Sequence, residues 1–394
     1  MALYEKTIYP RLVGAIAVDE LKLHFTPTAE EADFADQGAR SPGSRLTLLT
    51  LLKLFQKLHR FPGPDEVPAA VINHLRIHLR LGEAVEFENA DAVQRARQFR
   101  TIREYTGVMT WSKEARRVAV AAGYEAALVL ARPADIMNAI IAALIRARYE
   151  LPAFSTLERI LGRVRALAHR HTGGSVFQRL TAKGREALDR LLVIAVDQRR
   201  TAFQAIQRLP QRPSRKHLQE SIQHLQWLES LSREGRERMG VAPSLVAEFA
   251  KQARTTNAAE LKRFTAPKRY TLLLSLIHNT QARTRDAVAR MLVHRLATIH
   301  KRAKEELLQR QADQRERVHN LLGKLGEVIH IVATVRSDRR VGLQVRTALT
   351  QAEAIDVLQQ ECTTAQNWSG HNYLPLLWQQ SRTIARSFFA LSML

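Results

Sequence analysis

Apolar residues recur at intervals of three and four along most of the chain, and the runs break at proline and glycine. "SRLTLLTLLKLFQKLH" (44–59) follows "SPG" and stops at "RFPGPDEVP", which predicts a helix. "PAAVINHLRIHLRLG" (68–82) has proline at its first turn and glycine past its end, the asymmetry of a short helix. Further helices are predicted over Asp91–Tyr105, stopped by Gly107, and over Trp111–Leu130, closed by Pro133. "PADIMNAIIAALIRARYELP" (133–152) and Ser155–His171 follow, the latter ending at "HTGG". Residues 183–210 hold one or two more helices, and "PQRPSRK" (210–216) breaks the period as a linker.

Beyond Ser214 the predicted helices lengthen. Between Pro267 and Gly323 there is neither proline nor glycine, and 300–322 alternates charge in the manner of a solvated or loosely paired long helix. Only "EVIHIVATV" (327–335) has strand chemistry, too little for a sheet. The expected class is all-α: tandem helix-turn-helix-like helical domains followed by a long-helix region. The expected boundaries are 1–131, 132–212 and 213–394.

Charge changes this picture. Lys+Arg number 60 against 38 Asp+Glu, a formal net charge of +22. Such an excess calls for an anionic partner, and nucleic acid is the usual one. No run approaches the roughly 18 apolar residues of a spanning helix. The opening "MALYEKTIYPRLVG" lacks the apolar core of a signal peptide. The single cysteine, Cys362, excludes an intramolecular disulfide framework and a multi-cysteine metal site. A cytoplasmic, nucleoid-associated protein without membrane contact is expected.

The helix over 155–171 best answers the charge. Ser155 is placed to cap it, with Glu158 completing a capping box. Leu157, Ile160, Leu161, Val164, Leu167 and Ala168 form one apolar face; Arg159, Arg163 and Arg170 gather opposite, with Arg165 and His169 on the flanks. A preceding helix and a tight bend make this helix-turn-helix geometry, with the N-terminal residues Ser155 and Thr156 nearest the bases. Arginine suits both phosphate and guanine edges, because its planar fork donates two parallel hydrogen bonds. The competing reading is a solvated basic face on a structural helix.

A second candidate lies over 68–82, where Val71, Ile72, Leu75 and Leu79 face a core and Arg76 and Arg80 lie beside them. Lys53 and Lys57 join them in this first module. His74 and His78, four apart, would be half a zinc site, but no cysteine or H-E-x-x-H pattern accompanies them, and no metal or cofactor is expected. A third basic cluster, "RLPQRPSRKH" (208–217), reads equally well as a phosphate-tracking strap or a polar linker. No Walker loop, G-x-G-x-x-G or G-x-S-x-G is present, and the strand content of a ribonuclease H-type fold is missing.

Several stretches carry a family resemblance: "IYPRL" (8–12), "FTPTAEE" (25–31), "ARPADIMNAIIAALIRARYELP" (131–152), "RARYELPAFSTLERI" (146–160), "ATIHKRAKEEL" (297–307) and "GHNYLPLLW" (370–378). In this order they resemble the N-terminal region of Tn-3 family transposases, the large replicative transposases of bacterial transposons. The resemblance implies helical domains that grip the terminal inverted repeats of the transposon. It also implies that the ribonuclease H-like domain with its Asp-Asp-Glu triad lies outside this sequence, so no catalytic residue carries over and no enzymatic activity is expected. After Trp378 the likeness stops at "QQSRTIARSFFALSML", which suggests a reading-frame shift near Gln379. The expected function is sequence-specific binding of double-stranded DNA at transposon ends. The alternatives are a truncated dominant inhibitor of transposition, a transposase completed by another chain, and an inactive helical remnant. The region after Ser214 either packs within the chain or pairs with a second copy, or with a full-length transposase.

Overall fold

The computed structural model describes residues 3–12, 16–88, 91–194, 201–207, 215–233, 239–351 and 354–379. Among them there are only helices and one isolated bridge, Met109 to Tyr149, so the class is all-α. "EVIHIVATV" lies in a helix through Thr334.

The chain divides into two units, Met1–Gln207 with Ser232–Asn279, and Arg208–Leu231 with Thr280–Leu394. The first unit opens with α1 (Val18–Phe25) and α2 (Ala29–Gly38), for which the apolar pattern gave no warning. They are short, and α2 is held largely by its ends: Thr28 and Glu31 form a reciprocal capping box. α3 (Pro42–Leu58) is apolar nearly all round ("LTLLTLLKLF"), and such a helix belongs inside. Leu46, Leu49, Leu52, Leu54 and Phe55 are buried, with Phe25, Ala35, Val71, Leu75 and Ile102 packed around them. α4 (Ala69–His78) and α5 (Ala92–Thr106) complete this first core, and Gly107, at φ +65°, closes α5 in the left-handed conformation that glycine adopts readily.

A second core joins α6 (Lys113–Ala127), α7 (Pro133–Arg146) and α8 (Phe154–Arg179). α6 offers Ala115, Ala119, Gly123 and Ala127, spaced by four along one face. These small residues let the neighbouring helices close in. A Cβ on Gly123 would meet Ile140 Cδ1 at 2.9 Å and Val164 Cγ2 at 3.2 Å. The boundary expected at 131/132 therefore cuts through a core, since α6 packs on α7 and α8. The sequence placed α6 with the preceding helices because local periodicity says nothing about which helix a face will meet.

Tyr9 belongs to this second core although it lies far away in sequence. Its hydroxyl donates to the Pro152 carbonyl at 2.9 Å, and Phe154 stands edge-on to both Tyr4 and Tyr9. α8 starts one residue earlier than expected, with Ala153 at the N-cap and no side-chain cap, so Ser155 does not cap it. It also runs past "HTGG" to Arg179. Gly173 is buried there, and a Cβ on it would touch Pro267 at 3.5 Å, so this glycine serves close packing rather than helix termination.

The first unit continues with α9 (Ala182–Arg190) and α10 (Ala202–Ile206), two helices where one or two were expected over 183–210. After α11 (Arg215–Arg233) come α12 (Pro243–Thr255) and α13 (Ala258–Arg263). The expected third domain, 213–394, therefore gives up residues 232–279 to the first unit. The linker expected at 210–216 lies mostly outside the described residues, as do 208–214 of the third basic cluster and everything after Gln379.

α14 (Ala266–Thr334) is 69 residues long. In the second unit, Leu218 and Ile222 of α11 pack with Val288 and Met291 of α14. α15 (Asp338–Thr350), α16 (Ile355–Trp368) and α17 (Leu374–Gln379) follow, and Leu376 packs on Ala303 and Leu307. The described residues contain no helix long and apolar enough to cross a membrane.

Candidate nucleic-acid interface

The cations singled out in the sequence separate into two groups. Those of the first core are largely occupied. Lys53 is buried, and its Nζ lies 3.0 Å from Glu31 Oε2, so it cannot meet an external phosphate. Lys57 pairs with Glu20 at 3.3 Å. Arg76 donates from Nε to the Val85 carbonyl at 3.0 Å and from Nη1 to Asn73 Oδ1 at 2.6 Å. Of the four cations singled out there, only Arg80 is exposed with no ion pair among the described residues. The assignment of Lys53 as a contact is thus corrected, and Lys57 and Arg76 are tied down internally. His74 and His78 stand edge-on, and His74 Nε2 lies 3.1 Å from Thr26 Oγ1.

On α8 the arrangement is different. At about 100° per residue, Arg159, Arg163 and Arg170 fall within about 40° of one another on a helical projection. All three are exposed, and none forms an ion pair among the described residues. Arg159 Nη2 donates to Thr156 Oγ1 at 3.2 Å, and Arg170 Nε reaches the Ala166 carbonyl of its own helix at 3.4 Å. These are weak local tethers that leave both forks facing water. Between them stand Gly162 and Ala166, and a Cβ on Gly162 would meet nothing within 4 Å. The stripe is convex and open.

Ser155 is exposed and Thr156 half-buried. Arg165 is half-buried, and its Nε is shielded from solvent without a hydrogen-bond partner, so it stands apart from the stripe. Leu167, expected in the core, is 47% exposed. The pattern misassigned it because it sits at the shoulder between the two faces. Cations that sequence reasoning passed over are also open: Arg97 and Arg100 of α5 and Arg116 of α6 are exposed with no ion pair among the described residues. The basic run "RARQFR" (95–100) was the available signal.

The bend between α7 and α8 is clamped. Glu150 accepts from Arg103 Nε at 2.9 Å, Thr110 Oγ1 at 2.8 Å and the Trp111 N–H at 3.0 Å. Leu151 N–H donates to the His59 carbonyl at 2.7 Å. Residues from both cores thus fix the direction in which α8 leaves the bend.

The comparisons with known proteins bear on this segment. Residues 3–164 match the model of a family described as a domain of unknown function, DUF4158. No curated protein matches the chain. The matched segment contains both cores' first helices, the clamped bend and the first turns of α8.

On the flank of α8, His169 packs edge-on against Phe249 at 5.0 Å. Burial holds its pKa below the ordinary histidine value; the Arg165 cation and Lys268 act in the same sense, and Glu248 opposes them. A folded-state value below the unfolded one means that folding favours the neutral ring. The associated stability is complete above about pH 6.5 and is lost as pH falls below that value. His59 and His74, both lowered chiefly by burial, add in the same direction. Melting temperatures measured from pH 7.5 to 5.5 should fall, and the gap between the parent and His169→Gln should narrow on acidification. A gap that does not change with pH would remove His169 from this account.

Proposed function

We propose that the first unit binds double-stranded DNA during transposition, gripping transposon ends with the open arginine stripe of α8. The observation that carries this reading is the stripe itself: Arg159, Arg163 and Arg170 are exposed, aligned and without an internal carboxylate among the described residues. A carboxylate three or four residues away can pair an exposed guanidinium, as Glu186 pairs Arg190 at 2.7 Å. α8 supplies Glu158 near its start and no other acid before Arg179. The α7–bend–α8 order and the small residues between the arginines suit a helix approaching a major groove. The net charge of +22 agrees. The stretches resembling Tn-3 family transposases up to residue 160 all fall inside the DUF4158 match, which ties the resemblance and the match to the same residues.

The expected contacts are Arg159, Arg163 and Arg170 to phosphates or guanine edges, with Ser155 beside them. Phosphate contacts supply most of the affinity, and base contacts select the sequence. The test is footprinting and salt-dependent binding on the terminal inverted repeats flanking the gene, against a random duplex of equal length. Protection of the repeats and a preference over random DNA of about 10³-fold or more are expected for specific recognition. Equal affinity for both at physiological salt would reject sequence-specific binding.

A further inference from the structure

Arg148 stands in the bend just before α8, and three features of it are unusual together. It adopts φ +56°, the left-handed region, where a non-glycine side chain is disfavoured. The backbone there is needed in that form: Arg148 N–H donates to the Ile145 carbonyl, and its own carbonyl accepts from Met109 N–H at 2.7 Å. Glycine or asparagine would meet this need with less strain. The side chain is exposed and has no ion pair among the described residues, although Glu150 is only two residues away and is taken by Arg103. A Cβ on Gly107 would come within 3.2 Å of Arg148 Nη1, so the guanidinium lies over the bare backbone of that glycine.

The same conformation occurs at His59 and Arg80. His59 is half-buried, which accounts for a side chain there. Arg80 is exposed but follows α4, where Arg76 is tied to Val85 and Asn73. Only Arg148 leads directly into a helix carrying three more unpaired arginines.

We propose that Arg148 is a DNA-backbone clamp: a cation held at the mouth of α8 to take one phosphate as the stripe meets the groove. This rests on the DNA-binding reading above. The favourable position of a cation beyond a helix C-terminus explains charge there. It does not explain a fork-shaped side chain laid over a glycine in a strained backbone.

The full chain and a mixed-sequence duplex of 30 base pairs serve as the probe, with anisotropy titrations from about 50 to 200 mM salt. Arg148→Gly relieves the backbone strain, so its melting temperature should equal or exceed the parent's. Its affinity should nevertheless fall about fivefold at 0.15 M salt, with the salt slope smaller by about 0.9. Arg148→Gln keeps the backbone conformation and removes the charge, and it should lose the same slope. Arg148→Lys should retain it. An unchanged slope in the Gly and Gln variants overturns the proposal and leaves Arg148 a helix-end residue. If that occurs while Arg163→Ala lowers the slope, the DNA-binding reading stands and only the clamp falls. If the parent binds neither this duplex nor one carrying the terminal inverted repeats, both fall.

Discussion

Alanine at Arg159, Arg163 and Arg170 together is expected to lower affinity for duplex DNA by about 10²-fold at 0.15 M salt. The magnitude follows from counterion release. Each phosphate contact contributes a slope of about 0.9 in log K against log salt, so each lost contact weakens binding about fivefold at that salt. At 0.05 M the loss per contact rises to about fifteenfold, and the triple variant should bind more than 10³-fold more weakly. The widening of the defect on dilution marks a phosphate role, because a lost apolar or steric contact would not depend on salt. The fold should survive, since the three side chains form no internal ion pair among the described residues. Titrations at two salt concentrations, with circular dichroism as the control for folding, decide the matter. A salt slope equal to the parent's would show that α8 does not carry the phosphate contacts.

The second large effect concerns stability. Glu31→Ala leaves the Lys53 ammonium buried without its counter-charge. Lys53 Nζ lies 3.0 Å from Glu31 Oε2 with both side chains 8% exposed. Burial alone would raise the Glu31 carboxyl; the Thr28 N–H, Gln56 and Lys53 outweigh it and hold the pKa below the ordinary range. Breaking a buried pair from one side costs about 3–5 kcal/mol, because the surviving charge is stranded in a poor solvent. For a unit of this size that is a fall of roughly 10 °C in melting temperature. Replacing both partners, with Glu31→Leu and Lys53→Met, removes the stranded charge and should recover most of the loss. Calorimetry on the parent and the two variants tests this. A fall of only a degree or two in Glu31→Ala would mean that water reaches Lys53.

These two sites also show what the sequence makes legible. The α8 stripe was readable because its cause is local: the period of one helix puts Arg159, Arg163 and Arg170 on one side and Leu157, Ile160, Leu161 and Val164 on the other. The end of α5 was readable for the same reason, from Gly107. Lys53 was not readable. Its sequence neighbours Leu52 and Leu54 are apolar, and the carboxylate that neutralises it comes from another helix. A lysine in such a run looks like the one polar mark of a surface face, and only the tertiary contact reverses that reading. α1 and α2 escaped notice because short helices held by caps and packing leave little periodic trace. Arg148 was invisible to pattern, since its interest lies in a backbone angle. Leu167 was misread because a shoulder position depends on how closely the neighbouring helices approach.

The place of Tyr9 has a consequence for how the protein comes into being. Its hydroxyl closes on the Pro152 carbonyl and its ring meets Phe154, so these partners emerge from the ribosome well over a hundred residues later. At about 5–20 residues per second, the first strand of contacts waits on the order of ten seconds for its other half. Until then the opening segment has only nearer partners, such as Arg60 over the Tyr9 ring at 5.8 Å. The second core is therefore completed only after Pro152 and Phe154, at the start of α8, have cleared the exit tunnel.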